Sequence, residues 1–226
     1  MTGRGTDRGT DRGTDSVTGL HALLVDAASA GLADQSPDGS MPGGHNGPYH
    51  DPETPVRNTG HWLRTFATAY HLSGESRYLE ATRRAADYLL RPDLRPAGAT
   101  FWHRSTDGKD RCNGLVGQAW TTEALVEAAA TLGMDECREL ARSVFLLHPF
   151  DERTGLWQRV EVDGSVLSED RAFNHQLWSP PRDPSSWTPT RSSRGGCGVS
   201  STVSRATCTC TRRASCTTTS ATCSGV

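Results

Sequence analysis

"TGHWLRTFATAYHLSGESRYLEATRRAADYLL", residues 59–90, carries two apolar stripes at helical spacing with one turn signal between them. Trp62, Leu63, Phe66, Ala69, Tyr70 and Leu72 mark one face of a first helix, for which Thr59 is the N-cap candidate. Tyr78, Leu79, Thr82, Ala85, Ala86, Leu89 and Leu90 mark the second, which Pro92 ends. "SGES" is too short to do anything but turn the chain back, so the pair is an antiparallel helical hairpin.

The same pattern recurs on both sides. Upstream, Leu20, Leu23, Leu24, Ala27, Ala28 and Leu32 form a stripe over 17–32, followed by the Gly- and Pro-rich loop "GLADQSPDGSMPGGHNGPYHDPETP". Downstream, the loop from Arg91 to Asn113 leads to a helix over 114–132 with Leu115, Ala119, Trp120, Ala124, Leu125 and Ala128 on its apolar face. "GMDE" turns it into a helix over 137–147. "DERTGLWQRVEVDGS" then alternates around Trp157, Val160 and Val162 and ends in Asp-Gly, the signature of a β-hairpin, and "FNHQLW" opens another helix. Short turns inside pairs and long loops between them predict an array whose long loops gather at one end.

The flanks are different. Residues 1–16 repeat Arg-Gly-Thr-Asp three times and offer no apolar side chain after Met1, which predicts a disordered low-complexity leader. Residues 179–226 hold five of the seven cysteines yet no Leu, Ile, Met, Phe, Tyr, His, Lys, Glu, Asn or Gln, a disordered Ser/Thr/Arg/Cys-rich tail that cannot build a core. Cys208 and Cys210 lack the spacing and histidines of a zinc site, so no metal and no other cofactor is expected. A formal charge of −2 with acids interspersed among the arginines gives no basic stripe for nucleic acid. No apolar run reaches the roughly 20 residues of a membrane span, and the leader lacks a secretory apolar stretch, so a cytoplasmic protein without membrane partners is expected.

The tail has a specific explanation. Absence of Ile and a single Lys, Lys109, point to a gene rich in G and C. Restoring one base after the Trp178 codon turns Ser and Cys codons into mostly apolar ones. Ser193, Cys197, Ser200, Ser201, Ser204 and Cys208, three and four apart, then become an amphipathic stripe. The domain reading is a leader over 1–16, a helical domain over 17–178, and a frameshift product over 179–226, with a genuine Ser/Thr linker as the rival.

"TGHWLRTFATAYHLSGESRYLEATRRAADYLL", "TFWHRSTDGKDRCNGLVGQAWTTEALVEAA", "HPFDERTGLW" and "FNHQLW" together resemble the six-hairpin glycosidases. These are (α/α)6 toroids that include unsaturated glucuronyl and rhamnogalacturonyl hydrolases, with N-acylglucosamine 2-epimerases as neighbours in fold. The resemblance runs from Leu20 to Trp178 and implies an all-α, incomplete (α/α)6 toroid of helical hairpins with one small β-hairpin. It implies a small saccharide or oligosaccharide substrate and hydrolysis of a glycosidic bond, of uronic-acid type in the named members. "NHQLW" instead is similar to an epimerase segment, and a sugar-binding or scaffold protein without chemistry is the third reading.

Chemistry selects the candidates. Glycoside cleavage needs a carboxylic acid and a second carboxylate or positioned water, which singles out Asp110, with Asp107 beside it and Glu123 one turn beyond Trp120. Helix capping or pairing with Arg104 or Arg111 is the structural alternative for Asp110. Epimerisation needs proton carriers that titrate near neutrality, which singles out His103 and His175, with His148 at a corresponding junction. Trp102, Trp120 and Trp178 are candidate stacking faces for sugar rings. Arg57 and Arg104 suit a uronate carboxylate, and Asn58, Asn113, Gln118, Asn174 and Gln176 suit hydroxyls. Half a ring leaves an apolar edge uncovered, so the chain is expected to be aggregation-prone and inactive. Resequencing the gene from independent isolates is expected to show a lost base at the Trp178–Ser179 boundary; an intact, in-frame Ser179 codon in each of them rules the shift out.

Overall fold

Short inner turns do close the hairpins. The computed structural model describes residues 12–46 and 49–178, without the side chains of residues 12–18, Asn46 and Trp178. The chain divides into two units, Met1–Pro189 and Thr190–Val226, and every described residue belongs to the first. The expectations for residues 1–11 and for the tail lie outside the described residues.

Six helices and two small antiparallel sheets make up the described residues: α1 (Arg12–Leu32), α2 (Pro55–Ser73), α3 (Ser76–Leu89), α4 (Gly114–Leu132), α5 (Asp135–Leu146) and α6 (Phe173–Trp178). The strands are β1 (His45–Asn46), β2 (Asp51–Pro52), β3 (Phe150–Asp151), β4 (Leu156–Val160) and β5 (Val166–Glu169), paired β1-β2 and β3-β4-β5. The fold is therefore mostly helical with a small sheet. Gly74 ends α2 and Gly133 ends α4, each in the left-handed conformation (φ 70° and 71°) with its N–H bonded to the carbonyl four residues back. The two hairpins thus share one device, a left-handed glycine that stops the helix and reverses the chain.

α4 packs against both α2 and α6, with α3 behind α2 and α5 behind α4. α4 is buried over most of its surface, from Leu115 and Val116 to Ala128 and Ala129, so burial extends beyond the stripe the sequence shows, with Glu123 left exposed. Val56, Leu63, Leu89, Phe101, Leu125 and Val144 form the main core between α2, α3, α4 and α5. Ala28, Met41, Phe66 and Tyr78 form a second core under α1. At Gly60 an added Cβ would lie 3.5 Å from Ala124 Cβ and 3.8 Å from Trp120 O, so a missing side chain sets the approach of α2 to α4.

Each long loop is tied to the helix it precedes by one repeated contact. The backbone N–H of Met41 donates to Thr59 Oγ1 (2.9 Å), that of Phe101 to Gln118 Oε1 (2.8 Å), and that of Trp157 to Gln176 Oε1 (2.9 Å). Gln118 Nε2 donates in turn to the carbonyls of Phe101 and Cys112, and Gln176 Nε2 to those of Trp157 and Asp170.

Four expectations are corrected. Thr59 is not an N-cap: α2 starts at Pro55, whose fixed φ suits the first helical position, and the Thr59 hydroxyl donates to Pro55 O inside the helix. α1 begins at Arg12, within the segment read as leader. Leu20 and Leu23 are exposed rather than buried, because Val25, Ala28 and Leu32, further along α1, are the residues that meet α2 and α3. The expected two-stranded hairpin has a third strand, Phe150–Asp151. Phe173 and Leu177 on α6 are 77% and 65% exposed, an apolar edge at the end of the helical row.

The Gly60 contact gives a test. Gly60→Ala fills ordinary contact space and removes a helix-interior glycine, so thermal melting should show a gain of about 0.5–1 kcal/mol. Gly60→Val should push α2 from α4 and lose about 1–3 kcal/mol.

Candidate functional site

The loops before α2, α4 and α6 meet at one end of the helical row. Thr54 N donates to His103 O (2.8 Å) and Glu53 pairs with Arg104 in an isolated bridge, joining the first loop to the second. Lys109 Nζ reaches Asp51 at 2.6 Å and reinforces that junction. Arg159 Nη1, from β4, reaches Asp110 Oδ2 at 2.6 Å and joins the second loop to the sheet. Glu161 accepts the N–H groups of Arg111 and Cys112 at the same seam. The expected gathering of long loops is observed.

Asp110 stands at the centre of this seam. Oδ1 accepts from Arg104 Nη2 (2.8 Å) and from Gly114 N (3.0 Å), while Oδ2 accepts from Arg159. Both structural alternatives weighed for it, helix capping and an arginine pair, are present together. Next to it, Asp170 Oδ2 accepts from Leu115 N (3.3 Å) and lies 2.9 Å from His175 Nδ1, and Oδ1 accepts from Ala172 N. Gly114, at φ 61°, makes room: a Cβ there would sit 3.0 Å from Asp170 Oδ2. Sequence reasoning passed over Asp170 and Arg159; the signal for Asp170 was an acid three residues before a helix and five before its histidine.

Two open clefts flank the seam. One, about 750 Å³, is lined by Asp151, Gln158, Arg159, Glu169 and Asp170 among others. The second, about 550 Å³, is lined by Arg104, Lys109, Asp110, Arg159 and Glu161. Arg159 is a wall of both, so the Asp110–Arg159 pair divides them.

Aromatic candidates sort by position. Arg57, paired with Glu53 at 2.6 Å, lies 4.6 Å over the Trp120 ring, and His61 lies 5.3 Å from that ring. Trp102 donates Nε1–H to Arg104 O and has Arg111 over its face at 5.6 Å. Both are partly exposed at the loop end. Trp62 instead packs on Gly31 and Phe66, and Trp157 between Phe145 and Phe150.

The remaining candidates are distributed through the frame. Gln118 is 2% exposed and spends both amide hydrogens on backbone carbonyls. His103 is 1% exposed, its Nε2 3.1 Å from Thr121 Oγ1 and its Nδ1 without a partner among the described residues. Burial, followed by the positive charges of Arg57, His61 and Arg104, pushes its pKa down to about 3, so it stays neutral. His148 is buried between α4, α5 and β4 with Nδ1 3.1 Å from Gln158 O, and burial lowers its pKa as well. Asn58 donates to Pro42 O, Asn113 sits at φ 56° before α4, and Asn174 is exposed. Asp107 is exposed in the second loop, and the Trp178 side chain is outside the described set. No group of three or more His, Cys, Asp or Glu placed to hold a metal occurs among the described residues. Cys112 and Cys137 are buried thiols whose pKa burial raises, to about 12 for Cys137.

No protein family description matches the chain, and no solved structure matches it. It is similar to a curated protein named archaeal glycosylation protein Q, from Haloferax volcanii, with 56% identity over 162 residues, 72% of this chain and 44% of that protein. The chain thus spans less than half the length of this relative. No helix among the described residues is long and apolar enough to cross a membrane.

The buried histidines set the pH response. His103 is neutral when folded and takes up a proton below its ordinary pKa of 6.5 when unfolded, so its contribution is complete above pH 6.5 and is lost as pH falls toward about 3. Urea unfolding at stepped pH should show a loss of about 1.4 kcal/mol per pH unit from His103 in this window. His61 and His148, lowered by burial too, add in the same direction. A slope unchanged in His103→Asn would contradict this assignment.

Proposed function

We propose that the chain is part of a carbohydrate-processing protein acting in glycosylation, a partial helical toroid whose loop end binds an anionic saccharide and moves a proton on it. The name of the Haloferax relative supports the carbohydrate setting. Trp120 beneath the Arg57 guanidinium and Trp102 hydrogen-bonded to Arg104 O support the site, because sugar sites combine aromatic faces with a few fixed polar groups.

One observation favours histidine-borne chemistry, as in a sugar epimerase or isomerase. Asp110 has both oxygens engaged by Arg104, Arg159 and Gly114, whereas His175 is held through one nitrogen and is 28% exposed on its side chain. Glycoside hydrolysis is the second reading, and Glu123 favours it. That carboxyl lies one turn past Trp120 and pairs with Arg64 at 2.8 Å with its side chain 43% exposed; partial desolvation raises its pKa against the pull of Arg64, the direction that suits a general acid.

The test has a binding arm and a turnover arm. An oligoglucuronate should quench the tryptophan fluorescence of the 226-residue chain, and Trp120→Leu should remove much of that signal. In heavy water, the full-length Haloferax relative should exchange a sugar C–H for deuterium without shortening the oligosaccharide. Shortened products support hydrolysis instead, and binding with neither change leaves a sugar-binding protein. No quenching and no turnover overturn the carbohydrate reading.

A further inference from the structure

We infer that Asp170 and His175 form a proton-transfer dyad, in which Asp170 positions the imidazole and Nε2 is the working atom. The substrate class rests on the carbohydrate reading above; the dyad itself does not. A carboxylate 2.9 Å from Nδ1 holds a proton on that nitrogen, so the neutral ring presents an acceptor lone pair at Nε2. Among the described residues no group engages Nε2.

The surroundings are built to hold the carboxylate rather than the histidine. The Asp170 side chain is 9% exposed and its oxygens take the N–H groups of Leu115 and Ala172 as well as the imidazole. Its own carbonyl is clamped by Gln176 Nε2, and its N–H donates to Trp157 O. Gly114, without a Cβ, keeps the space that Oδ2 fills. An acid fixed by four contacts besides the imidazole orients a partly exposed base, and Asp170 itself lines the 750 Å³ cleft.

The step balances with water as the co-reactant. Nε2 takes the proton from a carbon next to a carbonyl or carboxyl group, and the C–H electron pair moves into that group as an enolate. Water returns a proton to the opposite face of the carbon, and the imidazolium releases its proton to the resulting hydroxide.

Nitrogen-15 NMR of the histidine-labelled full chain tests this without substrate, the His175 signal being the one lost in His175→Gln. The expected spectrum shows the Nδ1–H tautomer, and Asp170→Asn, with melting retained, shifts it toward Nε2–H. Acylation of His175 by diethyl pyrocarbonate should slow on the order of tenfold in that variant. A wild-type ring in the Nε2–H tautomer, or in the mixture of a free imidazole, overturns the dyad even if Asp170→Asn fails to fold. Added oligoglucuronate should perturb the same signal; an unmoved signal beside an intact Nδ1–H tautomer counts against the saccharide and leaves the dyad.

Discussion

A loop can stay folded against a helical row only if its buried N–H groups find acceptors, and this chain answers that constraint three times in the same way. Met41, Phe101 and Trp157 each give a backbone N–H to Thr59, Gln118 or Gln176, a side chain near the start of the following helix. A hydrogen bond of this kind is worth only about 0.5–1.5 kcal/mol net, but leaving a buried partner unmade costs about 1–3 kcal/mol. The two glutamines go further and grip both the N–H and the C=O of one extended residue. Loops fixed so close to helix starts cannot swing away from that end, and this is why their polar side chains converge.

Convergence then creates its own electrostatic problem. Several charges are brought together with little solvent, and an uncompensated one would be costly. The chain solves this by placing each acid between partners on different elements: Asp51 with Lys109, Asp110 with Arg104 and Arg159, Asp170 with His175 and the α4 amides. These pairs are also the joints between loops, so Asp110 serves cohesion first. A carboxylate enclosed by two guanidiniums and an amide is a brace across the mouth, while the clefts on either side remain open.

The helical hairpins were legible because periodicity reports a stripe that needs burial, and α2, α3 and α5 each have one. α4 was legible from its apolar face too, but that stripe understates its burial, since α2, α3, α5, α6 and β4 all pack against it. The α2 start was misread because Thr59 looks like a cap in sequence, whereas its hydroxyl is used inside the helix and Pro55 opens it. Leu20 and Leu23 fit a stripe that no described neighbour covers; spacing tells which residues share a face but not how far a neighbour extends. At the candidate site, residue type pointed to side chains on the loops that meet, yet type could not reveal Arg159 or Asp170, whose contacts come from pairing across 49 and 55 residues of sequence separation.

Three histidines at loop-to-helix junctions looked equivalent by position, and burial separates them. His103 and His148 sit where the charged form loses its hydration, so they remain neutral and act as shaped polar fillers beneath the loops. His175 differs in two ways: its ring is partly open to solvent, and its partner is a carboxylate rather than a hydroxyl or carbonyl. Proton transfer needs both access for the reacting atom and a fixed orientation of the ring. The interior supplies orientation without access and the exposed helix face supplies access without orientation, so the junction between the start of α4 and the start of α6 is where the two requirements are met together.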